Sequence, residues 1–410
     1  MKSVDYKLFF TVLILIIFWM IMISSVSVWW SFRVTSTQAA AWYIESAYNH
    51  FYVIRNIVHV LISMMLVWVL VKVKYTYYEK YSKQIFGLAI ILLIVVLILW
   101  EAYKWARWWI SIPGIPFNIQ PTEFLKFALI VYLASFFKQY KQYLHTFNDG
   151  FVPFAIVLWV VLLLVWAQPD FGTILVVVPI SFMMFFFAWA NVKYLSLMFI
   201  VWVMIAWWVY LAWDYDPETG KNINDLGYVT QRIDNFLADN EDAIKNRTIN
   251  FQTEQALIAI GSWWFTWLWF GQSVQKFWYL PEVQWDFIFS VVVEELGFLW
   301  AFMLMNMYMY IWYRWMRIAR YSNDLFAKYA AFWITSWILL QACINIGVNL
   351  NIVPLTWITL PFISYWGSSL LALSFWLALL LSISRDIEPE KYKKKMKRKN
   401  HVSIRKFLWI

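Results

Sequence analysis

Glycine is scarce in this chain, with 11 in 410 residues against roughly 29 at the usual share of about 7 %. A chain so short of glycine has few positions that take positive φ or a close backbone approach without strain. Cysteine is rarer still. Cys343 stands alone in an apolar run, which excludes a disulfide framework and leaves the redox compartment open. The four histidines, His50, His59, His145 and His401, are scattered and lack the spacing of a structural metal site. Charged residues make up only 14 %, hydrophobic residues 63 %, and the mean hydropathy is +0.60. That balance excludes a soluble domain of this length.

Tryptophan is in surplus by about as much as glycine is missing, at 31 residues. Segments such as Gly261-Ser262-Trp263-Trp264-Phe265-Thr266-Trp267-Leu268-Trp269-Phe270-Gly271 and Ser364-Tyr365-Trp366-Gly367-Ser368-Ser369 read as flexible turns once tryptophan is replaced by glycine. The two anomalies are therefore taken as one substitution, in which UGA codons meaning glycine are translated as tryptophan. A Trp-rich membrane protein with interfacial aromatic belts is the alternative. Belts lie at membrane surfaces, whereas Trp333 and Trp376 fall inside apolar runs and Trp263 and Trp264 in a polar loop.

Apolar stretches of transmembrane length lie near 8–28, 53–72, 85–103, 122–137, 152–167, 172–191, 194–213, 286–312, 328–350 and 364–384. They predict an all-α polytopic membrane protein of about ten helices, one transmembrane domain over 1–384. The first run continues to span length with no cleavage site at the expected distance, so it stays as a helix. Lys72, Lys74, Lys80 and Lys83 follow the second run, Lys138 and Lys141 the fourth, Lys193 the sixth, and Arg314, Arg317 and Arg320 the eighth. With Lys2 and Lys7 they put both termini in the cytoplasm. The tail 385–410 has ten Lys or Arg against three acids, much of the net charge of +9. Beside a membrane, such a tail orients the chain and meets anionic headgroups; nucleic acid is not an expected partner.

The connection of about 214–285 is the one long loop, on the opposite face. Within it, Thr253 to Ile260 is short and amphipathic enough to lie at the interface or re-enter, and Asp216 to Asn224 reads as a turn region. Four polar islands sit at external ends of the runs: Asn118 to Lys126, with Gln120 and Glu123; Gln168 to Thr173, with Asp170; Tyr279 to Gly297, with Glu282, Asp286, Glu294 and Glu295; and Leu360 to Ser369, with Ser364 and Ser368. Polar groups at such depth mark functional sites by default, and together the islands line one externally opening cavity. The alternative is that Thr122, Asp170 and Asp286 cap helices and the prolines stop them.

In this order, the islands resemble the SEDS family (shape, elongation, division and sporulation). The resemblance extends over essentially the whole chain, from Trp19-Met20-Ile21-Met22-Ile23-Ser24-Ser25 through Arg107-Trp108-Trp109-Ile110 and Gln341 to Leu350, ending at Leu381-Ser382-Ile383-Ser384-Arg385. Against the family pattern, Trp19, Trp105, Trp263, Trp264, Trp269, Trp315, Trp357 and Trp366 take glycine positions, while Trp109 and Trp337 stand where the family uses tryptophan. Gly271-Gln272-Ser273-Val274-Gln275-Lys276, leading into Tyr279-Leu280-Pro281-Glu282, is closer to the division branch than to the elongation branch. Gln284 and Trp285 depart from the family's usual His and Thr before Asp286.

The resemblance implies a peptidoglycan glycosyltransferase that polymerises lipid II on the outer face of the cytoplasmic membrane. It also implies a class B penicillin-binding protein as partner, within a set of other divisome membrane proteins. Joining two lipid-linked sugars needs a general base, groups that receive a departing diphosphate, and a groove for polyprenyl chains. Asp286 is the candidate base. Arg107, Lys126 and Lys276 are candidate diphosphate partners, and Gln120, Glu123, Gln168, Asp170, Glu282, Ser364, Ser368 and Ser369 complete the substrate-binding set. Lys126 stands at i, i+3 from Glu123, a spacing that equally suits an intrahelical ion pair. Glu294 and Glu295, deeper along their helix, are expected to serve polar pairing across the bundle. No cofactor is required; a divalent cation, Mg or Mn, is compatible with the diphosphate, though no ligand cluster compels one. The rival functions are a lipid II flippase and a non-catalytic scaffold, but alternating access calls for two related halves, and the sequence has no such repeat.

Mass spectrometry of the native protein tests the tryptophan reading. Glycine is the expected residue at Trp19, Trp263, Trp264 and Trp366, and indole at these positions, or UGG codons in the gene, overturns it.

Overall fold

The computed structural model describes residues 5–41, 43, 46–99, 109–111, 118–188, 191–212, 236, 247–262, 268–281, 283–365 and 367–387. Arg107, Glu282, Trp105, Trp263, Trp264, Trp267, Trp366, the turn region 216–224 and most of the basic tail lie outside the described residues. The described chain is overwhelmingly helical, as a chain in lipid must be when no water is present to satisfy its backbone.

The helices are α1 Tyr6–Val26, α2 Val28–Ala40, α3 Phe51–Leu70, α4 Tyr75–Lys80, α5 Ser82–Leu99, α6 Pro121–Gln139, α7 Val152–Trp166, α8 Phe171–Phe187, α9 Val192–Ala212, α10 Arg247–Gly261, α11 Gln275–Trp278, α12 Ile288–Tyr321, α13 Leu325–Asn349 and α14 Gly367–Arg385. Each predicted apolar run is occupied by one of these helices. Among the described residues, six segments are long and apolar enough to cross a membrane: α1, α3, the stretch Phe147–Trp166 ending in α7, α12, α13 and α14. Apolar parts of α5, α8 and α9 are shorter. α6 carries three charged residues, Glu123, Lys126 and Lys138, a composition that separates it from a plain lipid-facing span.

Local chemistry sets the boundaries. Asp5 caps α1 by accepting from the Leu8 backbone N–H at 3.2 Å, and Asp324 caps α13 by accepting from Ala327 N–H at 3.0 Å. Proline at the start of α6 costs nothing, because its missing N–H would have had no partner there. Ahead of it, Ile110–Ser111 pairs antiparallel with Asn118–Ile119, a two-residue ribbon that brings Trp109 and Gln120 beside the start of α6. α12 runs on to Tyr321, beyond the predicted 286–312, and is broken at Gly297, where φ is 79°. The predicted amphipathic stretch in the long connection is part of α10, which packs on α12 and α13 with Ala256 and Ala259 wholly buried.

α12, α13 and α14 are the most enclosed spans, while α3 is peripheral. Large apolar side chains such as Leu61, Met65 and Ile98 remain exposed around the rim, as expected where lipid replaces water. At the basic end, the Lys138 amine meets Glu79 and Asp324, each at 2.6 Å, joining α4, α6 and the cap of α13. There too Arg314 of α12 clasps both Asp5 oxygens at 2.7 Å.

The tryptophans for which the sequence resemblance implies glycine fall into distinct environments. Trp19 and Trp315 are fully buried, and each has an indole N–H with no hydrogen-bond acceptor among the described residues. Trp269 is exposed at φ 79°, a region costly for a bulky L-residue. Trp269→Gly is therefore expected to raise the thermal midpoint, relieving strain of about 1–3 kcal/mol. Trp337→Gly, at a buried position where the resemblance implies tryptophan, is expected to cost about 3–5 kcal/mol by cavity formation. Thermal unfolding in detergent checks both; equal destabilisation by the two substitutions removes the distinction.

Candidate active site

The cleft lies where the starts of α6 and α8 meet the middle of α13 and the segment that follows it. Gln120, Glu123 and Lys126 line it from α6, Asp170 and Thr173 from α8, and Gln341 from α13. Trp109, Trp357 and Thr359 close its sides. Its enclosed space is only about 30 Å3, room for a water or two. A sugar does not fit without movement of the walls.

At its centre the Lys126 amine, 4 % exposed, sits 2.5 Å from Glu123 Oε1 and 3.5 Å from Gln341 Oε1. Helical geometry brings the first pair together, since residues three apart share a face. Gln341 joins the walls. Its Oε1 accepts from Trp337 Nε1 at 2.9 Å, and its Nε2 donates to the carbonyl and hydroxyl oxygens of Thr359 at 3.1 and 3.0 Å. Asp170 caps α8, accepting from the Thr173 backbone N–H at 2.9 Å and its hydroxyl at 2.7 Å. The capping alternative thus holds for Asp170. It fails for Thr122 and Asp286, because α6 is preceded by Gln120 and α12 by Phe287 as cap residues, neither with a side-chain cap bond.

Asp286 lies one layer behind the cleft and is 4 % exposed. Its backbone carbonyl accepts from Asn345 Nδ2 at 3.0 Å and Asn349 Nδ2 at 2.9 Å, and the same Asn345 amide donates to the Ile358 carbonyl at 2.7 Å. Ile358 in turn lines the cleft. Gln284 is wholly buried with neither amide atom hydrogen-bonded among the described residues. Its backbone carbonyl accepts from Tyr365 N–H at 2.9 Å, tying the Asp286 turn to the Leu360–Tyr365 segment. Tyr308 reaches that segment too, donating to the Pro361 carbonyl.

Other sequence candidates stand apart from the cleft. The Lys276 amine is buried 2.5 Å from Glu295 and 2.8 Å from Ser25, so its charge is engaged within the bundle. Glu295 also accepts from Gly271 N–H at 3.1 Å, and Glu294 from Ser273 Oγ at 2.5 Å and Val274 N–H at 3.0 Å. Gln168 donates to the Leu93 carbonyl of α5 at 3.2 Å. Ser364 accepts from Leu360 N–H at 2.7 Å, while Ser368 and Ser369 are buried in the first turn of α14. The cleft therefore gathers Gln120, Glu123, Lys126 and Asp170, and not Lys276, Gln168 or the serines.

Gln341, Asn345, Asn349 and Thr359 were missed as site residues. The first three recur at i, i+4 and i+8 in an apolar helix, a spacing that puts three amides on one face and was visible in the sequence. For a divalent cation, the donor set fits poorly: Glu123 is paired with Lys126, Asp170 is occupied by Thr173, and no cluster of three His, Cys, Asp or Glu occurs among the described residues.

The FtsW/RodA/SpoVE family, described as cell cycle protein, matches residues 6–388. Stage V sporulation protein E of Bacillus subtilis is 33 % identical over 339 residues, covering 82 % of this chain and 88 % of that protein. The probable peptidoglycan glycosyltransferase FtsW of Coxiella burnetii is 32 % identical over 349 residues, covering 84 % and 89 %. In fold, a chain of a peptidoglycan synthase complex, solved for its coordination of polymerization and crosslinking, superposes with a TM-score of 0.71 at 23 % identity, covering 94 % of this chain and 99 % of that one. The rod shape determining protein RodA of Thermus thermophilus gives 0.64 at 21 %, covering 94 % and 98 %.

Gln341→Leu removes the amide that joins four groups and leaves the buried Trp337 N–H without its acceptor. The expected loss is about 1–3 kcal/mol, measured as a lower unfolding midpoint in detergent. Gln341→Glu, which keeps that acceptor and adds a charge facing Lys126, is expected to lose less; the reverse order contradicts the role assigned to the amide.

Proposed function

We propose, from the premise that this chain belongs to the FtsW/RodA/SpoVE family, that it is a peptidoglycan glycosyltransferase of the division branch. It polymerises lipid II at the outer face of the bacterial cytoplasmic membrane, crossing that membrane ten times with both termini inside. The working partner is a class B penicillin-binding protein, alongside other divisome membrane proteins. The names of curated relatives at 29–32 % identity support the activity. The observation that carries the reading is the buried Glu123, Lys126 and Gln341 constellation in a cleft at the end of the bundle where the Asp286 turn is anchored.

In the reaction, the Asp286 carboxylate accepts the proton of the acceptor sugar's 4-hydroxyl as that oxygen attacks the donor's anomeric carbon. The bond to diphosphate breaks on the opposite face, and the configuration inverts. Lys126, the cation that lines the cleft, receives that negative charge, with Arg107 as a second candidate; a preorganised positive group there favours departure. Lys276 acts at one remove, holding the Gly271 to Lys276 segment against α12. Glu123 orients the Lys126 amine until substrate phosphate competes for it. No step is routed through a metal ion.

Lipid II supplied to the purified protein with its partner in detergent, where no barrier separates two compartments, is expected to yield glycan polymer. A flippase or scaffold gives none. Asp286→Asn retains the shape and much of the hydrogen bonding of the side chain and loses only the base. Expression and partner binding are expected to persist while polymerisation falls a hundredfold or more, about the size of a lost general base. Near-normal polymer from Asp286→Asn excludes the assignment.

A further inference from the structure

A second cavity in the described chain is larger than the cleft. It lies at the other end of α6. Lys126, in the cleft, and Gln139, in this second cavity, are thirteen residues apart on one helix, about 20 Å at 1.5 Å per residue. The second cavity has a volume of about 220 Å3, the space of roughly seven waters at about 30 Å3 each.

Three helix ends converge on it. The start of α5 supplies Ser82 and Lys83, the last two turns of α6 supply Tyr132, Ser135 and Gln139, and the turn leading into α7 supplies Asn148 and Asp149. That turn, Phe147–Phe151, is a single π-helical turn, a form that recurs at functional sites. Gly150 makes it possible: a Cβ there would collide with the Tyr143 carbonyl oxygen and the Leu144 Cα. One of the chain's few glycines therefore stands where the cavity wall requires it.

The lining has a particular chemistry. It holds one cation, Lys83, and one anion, Asp149. Among the described residues they form no ion pair with one another, and neither has another ion-pair partner. The nearby Lys138 is already held by Glu79 and Asp324. Tyr132, Phe136 and Tyr140 of the lining belong to an aromatic ladder, Phe86 stacked on Tyr132 at 4.8 Å, Tyr132 on Phe136 at 6.4 Å, and Phe136 against Tyr140 at 4.9 Å. A cavity that offers a separate cation, a separate anion and ring faces suits a ligand carrying a phosphate and an amine. Phosphate takes Lys83 and the hydroxyls; the ammonium takes Asp149 and a ring face.

The surroundings say where such a ligand comes from. α5 and α7 both run from the cavity into the bundle and touch one another. Along them, Leu88 and Ile91 of α5 and Ile156 and Leu163 of α7 are exposed apolar side chains, between 56 and 63 %. A polar cavity that opens onto lipid-facing flanks fits a headgroup with acyl chains below it, which a soluble phosphate amine would not use.

We propose that this cavity is a binding site for a zwitterionic, amine-bearing phospholipid of the phosphatidylethanolamine type, drawn from the leaflet at the end of the bundle opposite the cleft. Lys83 holds the phosphate, Asp149 the ammonium, and the α5 and α7 flanks the acyl chains. The site is separate from the glycan chemistry and does not depend on it.

The test uses the full-length chain purified in detergent, incubated in turn with phosphatidylethanolamine, phosphatidylglycerol and water-soluble phosphoethanolamine, with bound molecules counted by native mass spectrometry. Both side chains are exposed, so Lys83→Gln and Asp149→Asn are expected to leave the unfolding midpoint nearly unchanged. The wild type is expected to retain phosphatidylethanolamine over phosphatidylglycerol. Lys83→Gln should weaken both lipids by about fivefold, the size of one basic contact to a headgroup. Asp149→Asn should abolish the preference while leaving phosphatidylglycerol binding as it was. Equal retention of phosphatidylethanolamine by wild type and both variants overturns the site, and phosphoethanolamine binding as tightly as the intact lipid overturns the lipid as its source.

Discussion

A lysine amine taken out of water needs a carboxylate within reach, and removing one partner of such a buried pair costs about 3–5 kcal/mol. Two of these pairs organise the end of the bundle that bears the cleft. Lys126 with Glu123 fixes the start of α6, and Lys276 with Glu295 fixes the returning segment of the long connection to α12. Neither pair stands alone. Ser25 of α1 and the Gly271 backbone complete the second, and Gln341 of α13 completes the first. Because each pair is completed by a group from another element, helix packing at this end depends on charge satisfaction as much as on apolar contact.

That dependence explains why one pair meets the cleft and the other does not. Glu123 and Lys126 are one helical turn apart, so their attraction is local and leaves the amine free to face outward from α6. Lys276 comes from a short helix after a loop, and its amine is enclosed by α1 and α12 together. A buried amine with a serine and a carboxylate on it is a fastening. A buried amine that lines the cleft, with a carboxylate that a phosphate group can outcompete, suits the binding role proposed for Lys126. The same residue type thus takes two roles according to what the fold packs around it.

Much of this was legible in the sequence. Apolar runs located the helices, and the i, i+3 spacing of Glu123 and Lys126 foretold their contact. Asp170 reads as a cap because Thr173 follows at the distance a first helical turn requires. The structure added what period and composition do not encode. The break at Gly297 and the reach of α12 to Tyr321 lie beyond what an apolar run marks, since the helix continues through Arg314, Arg317 and Arg320 after the apolar stretch has ended. The division of the polar islands into cleft and fastening depends on which loops fold over which helices, information carried by contacts such as Tyr365 N–H to the Gln284 carbonyl. The amide row of Gln341, Asn345 and Asn349 was visible as a pattern, but its meaning lay in partners more than ten residues away.

For the proposed base, Asp286, position sets the condition for the reaction. Its backbone carbonyl is held by two asparagine amides of α13, and one of those also holds the Ile358 carbonyl at the cleft wall. The backbone at this point is therefore coupled to the wall and cannot move far without breaking both bonds. A route from carboxylate to substrate opens most cheaply by displacing the segment between α13 and α14, where Trp357 lines the cleft and Phe362 already sits at φ 65°. Such a residue stores strain that movement can relieve. The resemblance read from the sequence implies glycine at Trp357, and a glycine there would remove a bulky wall from a cleft of about 30 Å3. The width of the cleft and the identity of residue 357 are thus one question, because the same side chain governs whether the base behind Ile358 has open space in front of it.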